Sequence, residues 1–218
     1  MNCPLCQSSN PHSVFNKADP VFGPREYEQC PDCKLIYLLP QYFLSLDEEK
    51  ERYDLHQNHP GDQGYVEFLN LLIEPLCGFL PEGSTGVDYG CGPGPTVSLL
   101  LERKGMKIVN YDPVYIPGKN ILTLQYDFIT ATEVIEHFHE PRREMLQLDR
   151  MLKAGGHVGL MTYLYEDVPR FKEGWYHMDP THVSFYHRET LVWIARWLKW
   201  EIEYLTGRVV IFRKPSKL

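Results

Sequence analysis

The chain has 218 residues, 43% of them hydrophobic, and a formal net charge of −7. That length suits one α/β domain of about 150 to 200 residues plus a small appendage, and the negative balance disfavours a nucleic-acid partner without excluding one, because non-specific affinity for a phosphate backbone comes from Lys and Arg. No apolar run approaches the roughly 18 residues that span a bilayer, and the opening MNCPLCQSSNP has neither a basic n-region nor an apolar h-region, so the expectation is a cytoplasmic, reducing setting with no membrane partner.

The chain begins with two CxxC pairs, Cys3-Pro-Leu-Cys6 and Cys30-Pro-Asp-Cys33, separated by 23 residues. Each pair can form a knuckle that aims two thiolates at one ion, and a short antiparallel hairpin between them would bring all four into tetrahedral geometry. Residues 1–42 therefore read as a zinc ribbon in which Cys3, Cys6, Cys30 and Cys33 hold a structural zinc, since about 40 residues bury too little core to fold unaided. The competing reading, two redox dithiols, calls for a CxxC at a helix start in a βαβ context, which neither pair has. Lys17, Arg25 and Lys34 stand against Asp19, Glu26, Glu28 and Asp32, so the module is not basic. Its aromatics Phe15, Phe22, Tyr27, Tyr37, Tyr42 and Phe43 could stack bases, or else fill the small core or dock on the main domain.

Residues 43–85 read as a connector with helices. Ser45 followed by Glu48 has capping-box spacing, Pro60-Gly61 breaks the chain, and YVEFLNLLIEPLCGFL has helical apolar spacing at Phe68, Leu71, Leu72, Leu76 and Phe79, with Cys77 as a small buried hydrophobe. His56, Asn58 and Tyr65 are candidates for a lid.

Over residues 86–218 strand-like and helix-like segments alternate: GVDYG, TVSLLLERKG, MKIVNYD, YDFITATEV, EPRREMLQLDRMLKAGG with its glycines after the helix end, HVGLMTYL, HRETLVWIARWLKW, then EIEYL and RVVIFRK. The pattern predicts a Rossmann-like, doubly wound, mostly parallel sheet with an antiparallel edge strand.

Between the first strand and helix of this region lies VDYGCGPGPT. Such a turn, at a helix N-terminus, suits an anionic or nucleotide ligand. A phosphate-binding GxxxxGK[ST] loop is excluded by the missing lysine, and GxGxxG is weakened because Pro95 or Val97 stands at its third glycine. What remains is GxGxG, with Asp88 in the strand and Asp112 after the next one, where a carboxylate can accept from both hydroxyls of a ribose. VDYGCGPG, NYDP, YDFITATEVIEHF and LKAGGHVGLMT, in this order over residues 87–162, resemble the motifs of class I S-adenosylmethionine-dependent methyltransferases. The resemblance implies that Gly90, Gly92 and Gly94 let the backbone approach S-adenosylmethionine, that Asp88 orients the loop or the ammonium, that Asp112 binds the ribose, that Glu133 lies near the amino-acid moiety, and that Cys91 is a small residue beside the cofactor. One stretch departs from the family: only 13 residues separate Asp112 from Tyr126, where a helix and a third strand are usual. NILTL is left as a very short strand, and Tyr115 and Asp127 are the candidates for meeting adenine.

Methyl transfer is an in-line displacement in which the protein aligns the acceptor and, where needed, removes its proton. WYHMDPTHVSFYHRETL resembles the histidine-containing loop of small-molecule and sugar methyltransferases, which makes His182 the first candidate for base or acceptor-orienting group, followed by His177 and Tyr186. His177, Asp179 and His182 could by residue type hold a second metal, or belong to an ordinary solvated loop. His137 is expected beside the cofactor, and Trp193, Trp197 and Trp200 in core and interface. The expectation is transfer to a small-molecule acceptor. Two alternatives stay open: an rRNA or tRNA methyltransferase, since zinc ribbons joined to this fold occur in rRNA guanine methyltransferases, and a non-catalytic binding protein on a methyltransferase fold.

Overall fold

The computed structural model describes residues 1–19, 21–55 and 59–216, and within them ten strands form two sheets. β1 (His12–Asp19) and β2 (Gly23–Gln29) make an antiparallel hairpin, and β3 (Ile36–Leu38) pairs with β2. α1 (Leu46–Tyr53) starts at the capping box, with the Ser45 side chain accepting from the Glu48 N–H and Glu48 reaching back to the Ser45 N–H. α2 (Gln63–Cys77) follows, capped by Asp62. Then come β4 (Thr85–Tyr89), α3 (Thr96–Arg103), β5 (Lys107–Tyr111), β6 (Tyr126–Thr132), α4 (Pro141–Met151), β7 (Leu152–Met161), α5 (Val168–Glu173), β8 (Ser184–Phe185), α6 (Arg188–Leu198), β9 (Glu201–Thr206) and β10 (Val209–Arg213).

The large sheet has the order β5-β4-β6-β7-β10-β9. β5, β4, β6 and β7 are parallel, and β10 and β9 add antiparallel at one side. Because successive side chains of a strand point to opposite faces, Val209 and Ile211 of β10 pack with α2 and α3, while Val210 and Phe212 pack with α4 and α6. Helices thus cover both faces, as continuous apolar runs in parallel strands require. NILTL forms a 3-10 turn at Ile121–Thr123 rather than a strand, so the sheet ends at β5. The link after Asp112 is too short for a helix and a return strand, and Tyr126 secures the turn by donating to the Ile121 carbonyl, 3.1 Å away.

The four-stranded sheet has the order β1-β2-β3-β8. Its last strand comes from the segment before α6, so residues 1–42 do not stand apart from the large domain. Ile36 pairs with Phe185 and Tyr37 with Ser184, and the Leu38 N–H donates to the Val183 carbonyl. Tyr27, Ile36 and Leu38 share a core with Tyr165, Phe171, Tyr176, Val183 and Phe185. The ribbon rings Phe15 and Tyr27 stack at 5.7 Å, and both lie edge-on to Phe171. These two aromatics dock on the main domain, which removes their faces from base stacking.

α2 packs on the sheet through Leu69, Leu72, Ile73 and Leu76. Leu71 and Phe79, assigned by spacing to that face, are on the exposed side, and Cys77 is half-buried at the helix end. In a helix so apolar all round, neighbouring stripes satisfy the same period. Trp200 is buried with its indole N–H on Asp149, and Arg142 lies over Trp197, consistent with structural roles for these rings. Leu72→Ala should cost about 2–5 kcal/mol through lost burial and the cavity left behind, whereas Leu71→Ala should stay within about 0.5 kcal/mol. Urea denaturation of the two variants checks the assignment.

Candidate functional site

Parallel strands end on one edge, and there the chain leaves β4, β5 and β6 as loops around a cavity of about 1240 Å³. Asp88, Gly90, Cys91, Gly92, Gly94, Asp112, Glu133, Glu136, His137 and His182 all face it. α1 and the first turns of α2 cover it from the other side, with Tyr53, Tyr65 and Phe68. His56 and Asn58 lie outside the described residues, while Tyr65, their companion in the expected lid, does line the cavity.

The glycine turn is held from two sides. The Gly90 and Cys91 N–H groups donate to the Tyr111 carbonyl at 2.8 and 3.1 Å. Gly90 has φ +79°, and a Cβ there would come within 2.6 Å of Val134, so only glycine fits. Asp112 accepts from the Gly92 N–H at 3.0 Å with one oxygen, and from the Val114 and Tyr115 N–H groups at 2.8 and 3.0 Å with the other. The carboxylate expected at a ribose therefore also locks the glycine turn to the loop after β5. Pro95 is the N-cap of α3, where its missing N–H costs nothing. Asp88 is buried, and accepts from the Thr130 hydroxyl at 2.9 Å. Burial pushes its carboxyl up to about 7 despite that bond, with the Asp112 charge adding to the rise. Burial likewise pushes the Cys91 thiol up to about 12, which makes it a poor nucleophile.

Tyr115 reaches the cavity and donates to Asp54 at 2.6 Å. Asp127 does not: it lies at the start of β6, accepting from the Thr85 N–H and Lys153.

The far end of the cavity is built from the loop after β6 and the segment between α5 and β8. Glu133 sits at φ +52°, a left-handed backbone that costs a non-glycine residue about 1–2 kcal/mol. The conformation is held by its N–H on the Met161 carbonyl, and Arg208 lies 3.3 Å from its carboxylate. Its Oε1 is buried with no partner among the described residues. Glu136 is fully buried, bound by the Tyr176 hydroxyl and by the Thr162 hydroxyl at 2.9 Å. Burial pushes Glu133 up to about 8, with the Glu136 charge adding, and pushes Glu136 up to about 7 against its two hydroxyl donors. His137 Nδ1 lies 3.0 Å from the Thr181 carbonyl, and His182 Nδ1 lies 2.6 Å from the Tyr176 carbonyl. A carbonyl only accepts, so both rings carry hydrogen on Nδ1.

Two expected site residues are placed elsewhere. Tyr186 is fully buried in the core and donates to the Ile135 carbonyl. His177 packs among Phe15, Tyr27 and Phe171 at the ribbon interface, where burial brings it down to about 4. Neither lines the cavity, and His177, Asp179 and His182 do not converge as a ligand set. The wall supplied by α1 is the part that sequence reasoning missed. Glu49 bonds His139 at 2.8 Å, Arg52 bonds Asp179 at 3.1 Å, and the Tyr53 ring lies edge-on to His137. Their i, i+3, i+4 spacing on one helix face was the signal.

The four cysteines converge, with one ligating sulfur of each within 4.8 Å of the others. Cys3 and Cys33 sulfurs are 3.6 Å apart, and Cys6 and Cys30 3.3 Å, near the roughly 3.8 Å edge of a tetrahedron with 2.3 Å metal–sulfur bonds. The two knuckles match: Gln7 and Lys34, each four residues after the first cysteine, both adopt left-handed φ and donate back to that cysteine's carbonyl. Accepting from Cys33 brings the Cys3 thiol down to about 6, while burial pushes Cys6 up to about 12 and donation to Cys3 pushes Cys33 higher. Four thiolates do not coexist in that volume without a cation, so the donor set fits zinc.

A Rossmann-like sheet with a glycine turn and paired carboxylates at its carboxyl edge is an arrangement able to receive a nucleoside-type ligand. More particularly, the chain belongs to the methyltransferase-domain family, whose model matches residues 62–204. A SAM-dependent methyltransferase of Thermotoga maritima, named as a possible histamine N-methyltransferase, is 20% identical with a TM-score of 0.50, over 79% of this chain and 96% of its own. One from Methanosarcina mazei is 18% identical with a TM-score of 0.50, over 64% of this chain and 96% of its own. The [4+2]-cyclase SpnF is 15% identical with a TM-score of 0.50, over 71% and 82%. These likenesses concern the fold, which the cyclase shares with the methyltransferases. No curated protein sequence matches the chain significantly.

The carboxyls raised by burial set a pH dependence. Glu133, Glu136 and Asp88 have higher pKa values folded than unfolded, so the folded state binds more protons from about pH 4 to pH 8, and stability falls as pH rises through that window. Asp179 acts oppositely below that window: burial opposes its ionisation, but the Thr181 hydroxyl and N–H bring it down to about 2, so its contribution is lost only in stronger acid. Melting temperatures of the cofactor-free protein should drop between pH 5 and 8, over about those limits, and Glu133→Gln should flatten the slope.

Proposed function

We propose that the chain binds S-adenosylmethionine along the glycine turn and transfers its methyl group to a small molecule held at the His137–His182 end of the same cavity. The observation that carries this reading is the continuity and size of the cavity. Its 1240 Å³ exceeds the about 300–1,000 Å³ usual for one ligand and leaves room for an acceptor beside the cofactor. Asp112 would receive the ribose hydroxyls, Asp88 and Glu133 would face the amino-acid moiety, and Gly90, Cys91, Gly92 and Gly94 would let the cofactor lie against the backbone. The cofactor itself supplies the transferable methyl group. His182 would be the side chain that meets the acceptor, orienting it or taking its proton through Nε2.

A small acceptor is favoured over RNA by charge. Apart from the carboxyls that burial raises, Asp47, Glu49, Asp112, Glu140, Glu144 and Asp179 line the cavity, against Lys50, Arg52 and Arg143, each of which bonds a carboxylate. Such a wall repels a polyanion.

Zinc in the four-cysteine centre would fix the ribbon and, through β3, the acceptor segment. Removing it with a chelator under reducing conditions should speed amide exchange over residues 176–186 and lower the melting temperature. Unchanged exchange there would show that the strand pairing stands without metal.

Calorimetry with S-adenosylmethionine tests the main reading. Asp112→Ala should weaken binding about 10- to 100-fold, the worth of hydrogen bonds to a charged group. Absence of binding by the wild-type chain at millimolar cofactor would sink it.

A further inference from the structure

The acceptor end holds a constellation that methyl transfer by itself does not call for. One ligating atom each of Glu136, His137 and His182 lies within 4.8 Å of the others. Nδ1 of each ring bonds a backbone carbonyl, Thr181 for His137 and Tyr176 for His182, so a ring that ligates through Nε2 keeps that bond. The ring centroids are 4.9 Å apart. A carboxylate and two imidazoles therefore converge on one volume at the cavity wall. The cations bound at this end are committed elsewhere, Arg52 to Asp179 and Arg208 to Glu133.

We propose that Glu136, His137 and His182 form a site for a first-row divalent transition-metal ion, zinc being the one its donors suit, separate from the four-cysteine centre. Two nitrogens and one carboxylate oxygen with room for a further ligand are the donor set of open zinc sites, and nitrogen donors disfavour magnesium and calcium. The surroundings are those of oriented metal ligands. Each imidazole is fixed by an Nδ1–H bond to a backbone carbonyl, and the carboxylate by the Tyr176 and Thr162 hydroxyls. Bonds of about 2.1 Å would put the ligand atoms no more than about 4.2 Å apart, so closing on the ion takes shifts of a few tenths of an ångström. The ligands come from two segments joined by the Val183 N–H on the Glu136 carbonyl, and by the Ser184 hydroxyl on the Phe138 carbonyl, which holds them in register. The role of the ion rests on the methyl-transfer reading, though its binding does not. An acceptor hydroxyl would take the open position and, acidified by the ion, lose its proton to solvent; its oxygen would then form the bond to the methyl carbon as the carbon–sulfur bond breaks and the neutral thioether leaves.

The test uses the full chain, stripped of metal under reducing conditions and titrated with Co²⁺ and then Zn²⁺. Wild type should take up two equivalents. One should show the intense near-ultraviolet bands of cobalt thiolates, the other only the weak visible bands of a nitrogen–oxygen site. His137→Ala and His182→Gln should each abolish the second equivalent and keep the thiolate bands. Thr162→Val, which unties the Glu136 carboxylate, should weaken the second equivalent about 10-fold. Retained thiolate bands report that the variants are folded. A wild-type chain that stops at the thiolate equivalent, or a second equivalent that survives in the double variant of both histidines, overturns the proposal. Cofactor calorimetry on the same samples separates the two readings. One equivalent with cofactor binding refutes the ion and returns His182 to proton transfer, whereas two equivalents without cofactor binding support the ion and refute the methyltransferase.

Discussion

The pairing of Ile36–Leu38 with Ser184–Phe185 joins the two ends of the molecule, and the acceptor side of the cavity depends on it. β8 has two residues, too few to hold a register by itself. Four further bonds clamp the same segment: Arg25 on the Pro180 carbonyl, Tyr27 on the His177 carbonyl, the Val183 N–H on the Glu136 carbonyl, and Ser184 on the Phe138 carbonyl. The first two come from the ribbon and the last two from the loop after β6. Tyr176 and His182 are held between them, so residues 1–42 brace the segment that lines this end of the cavity rather than standing as an appendage. On the other side, Arg142 at the start of α4 binds the Leu5 and Pro4 carbonyls beside the first knuckle. Loosening the ribbon would therefore be felt at the site without any change in the residues that line it.

Electrostatics divide the cavity into two functional ends. At the glycine turn, Asp112 accepts from three backbone N–H groups, which gives the turn one geometry. At the other end Glu133 and Glu136 are crowded together and held by burial nearer neutrality. A group of positive charge entering that end would ionise them, so binding and proton release are linked there. The strained backbone at Glu133 fits this picture. The local cost is offset by the Arg208 contact and a strand-edge hydrogen bond, and it aims a carboxylate into the cavity that a relaxed turn would direct elsewhere.

The parallel part of the fold was legible because its signals are local. Alternating periods, the VDYGCGPGPT turn and the Asp112 position each follow from a few neighbouring residues. The same holds for the paired knuckles. Legibility failed where placement is a long-range event. His177 and His182 are five residues apart on one loop, with equal claims as sequence. They separate because the 3-10 turn Tyr176–Met178 and the bend at Asp179 send one ring toward the ribbon core and the other toward the cavity. Tyr186 looked like a polar loop residue and is a buried anchor, since the strand it adjoins exists only through pairing with the ribbon. α1 looked like a solvated connector because the partners of Glu49 and Arg52, His139 and Asp179, lie 90 and 127 positions away.

The family match says more about this chain than the fold does, since a cyclase shares the fold. What lines the far end of the cavity lies outside the sheet: α1, the loop after β6 and the segment 175–182 supply it. The loop after β6 also packs on the glycine turn, through Val134 beside Gly90, whereas the segment 175–182 is held by Arg25, Tyr27 and Glu136. That arrangement follows from an open sheet whose ligands lie beyond its strand ends: the strands position one shared half of the site, and the connections supply the variable half.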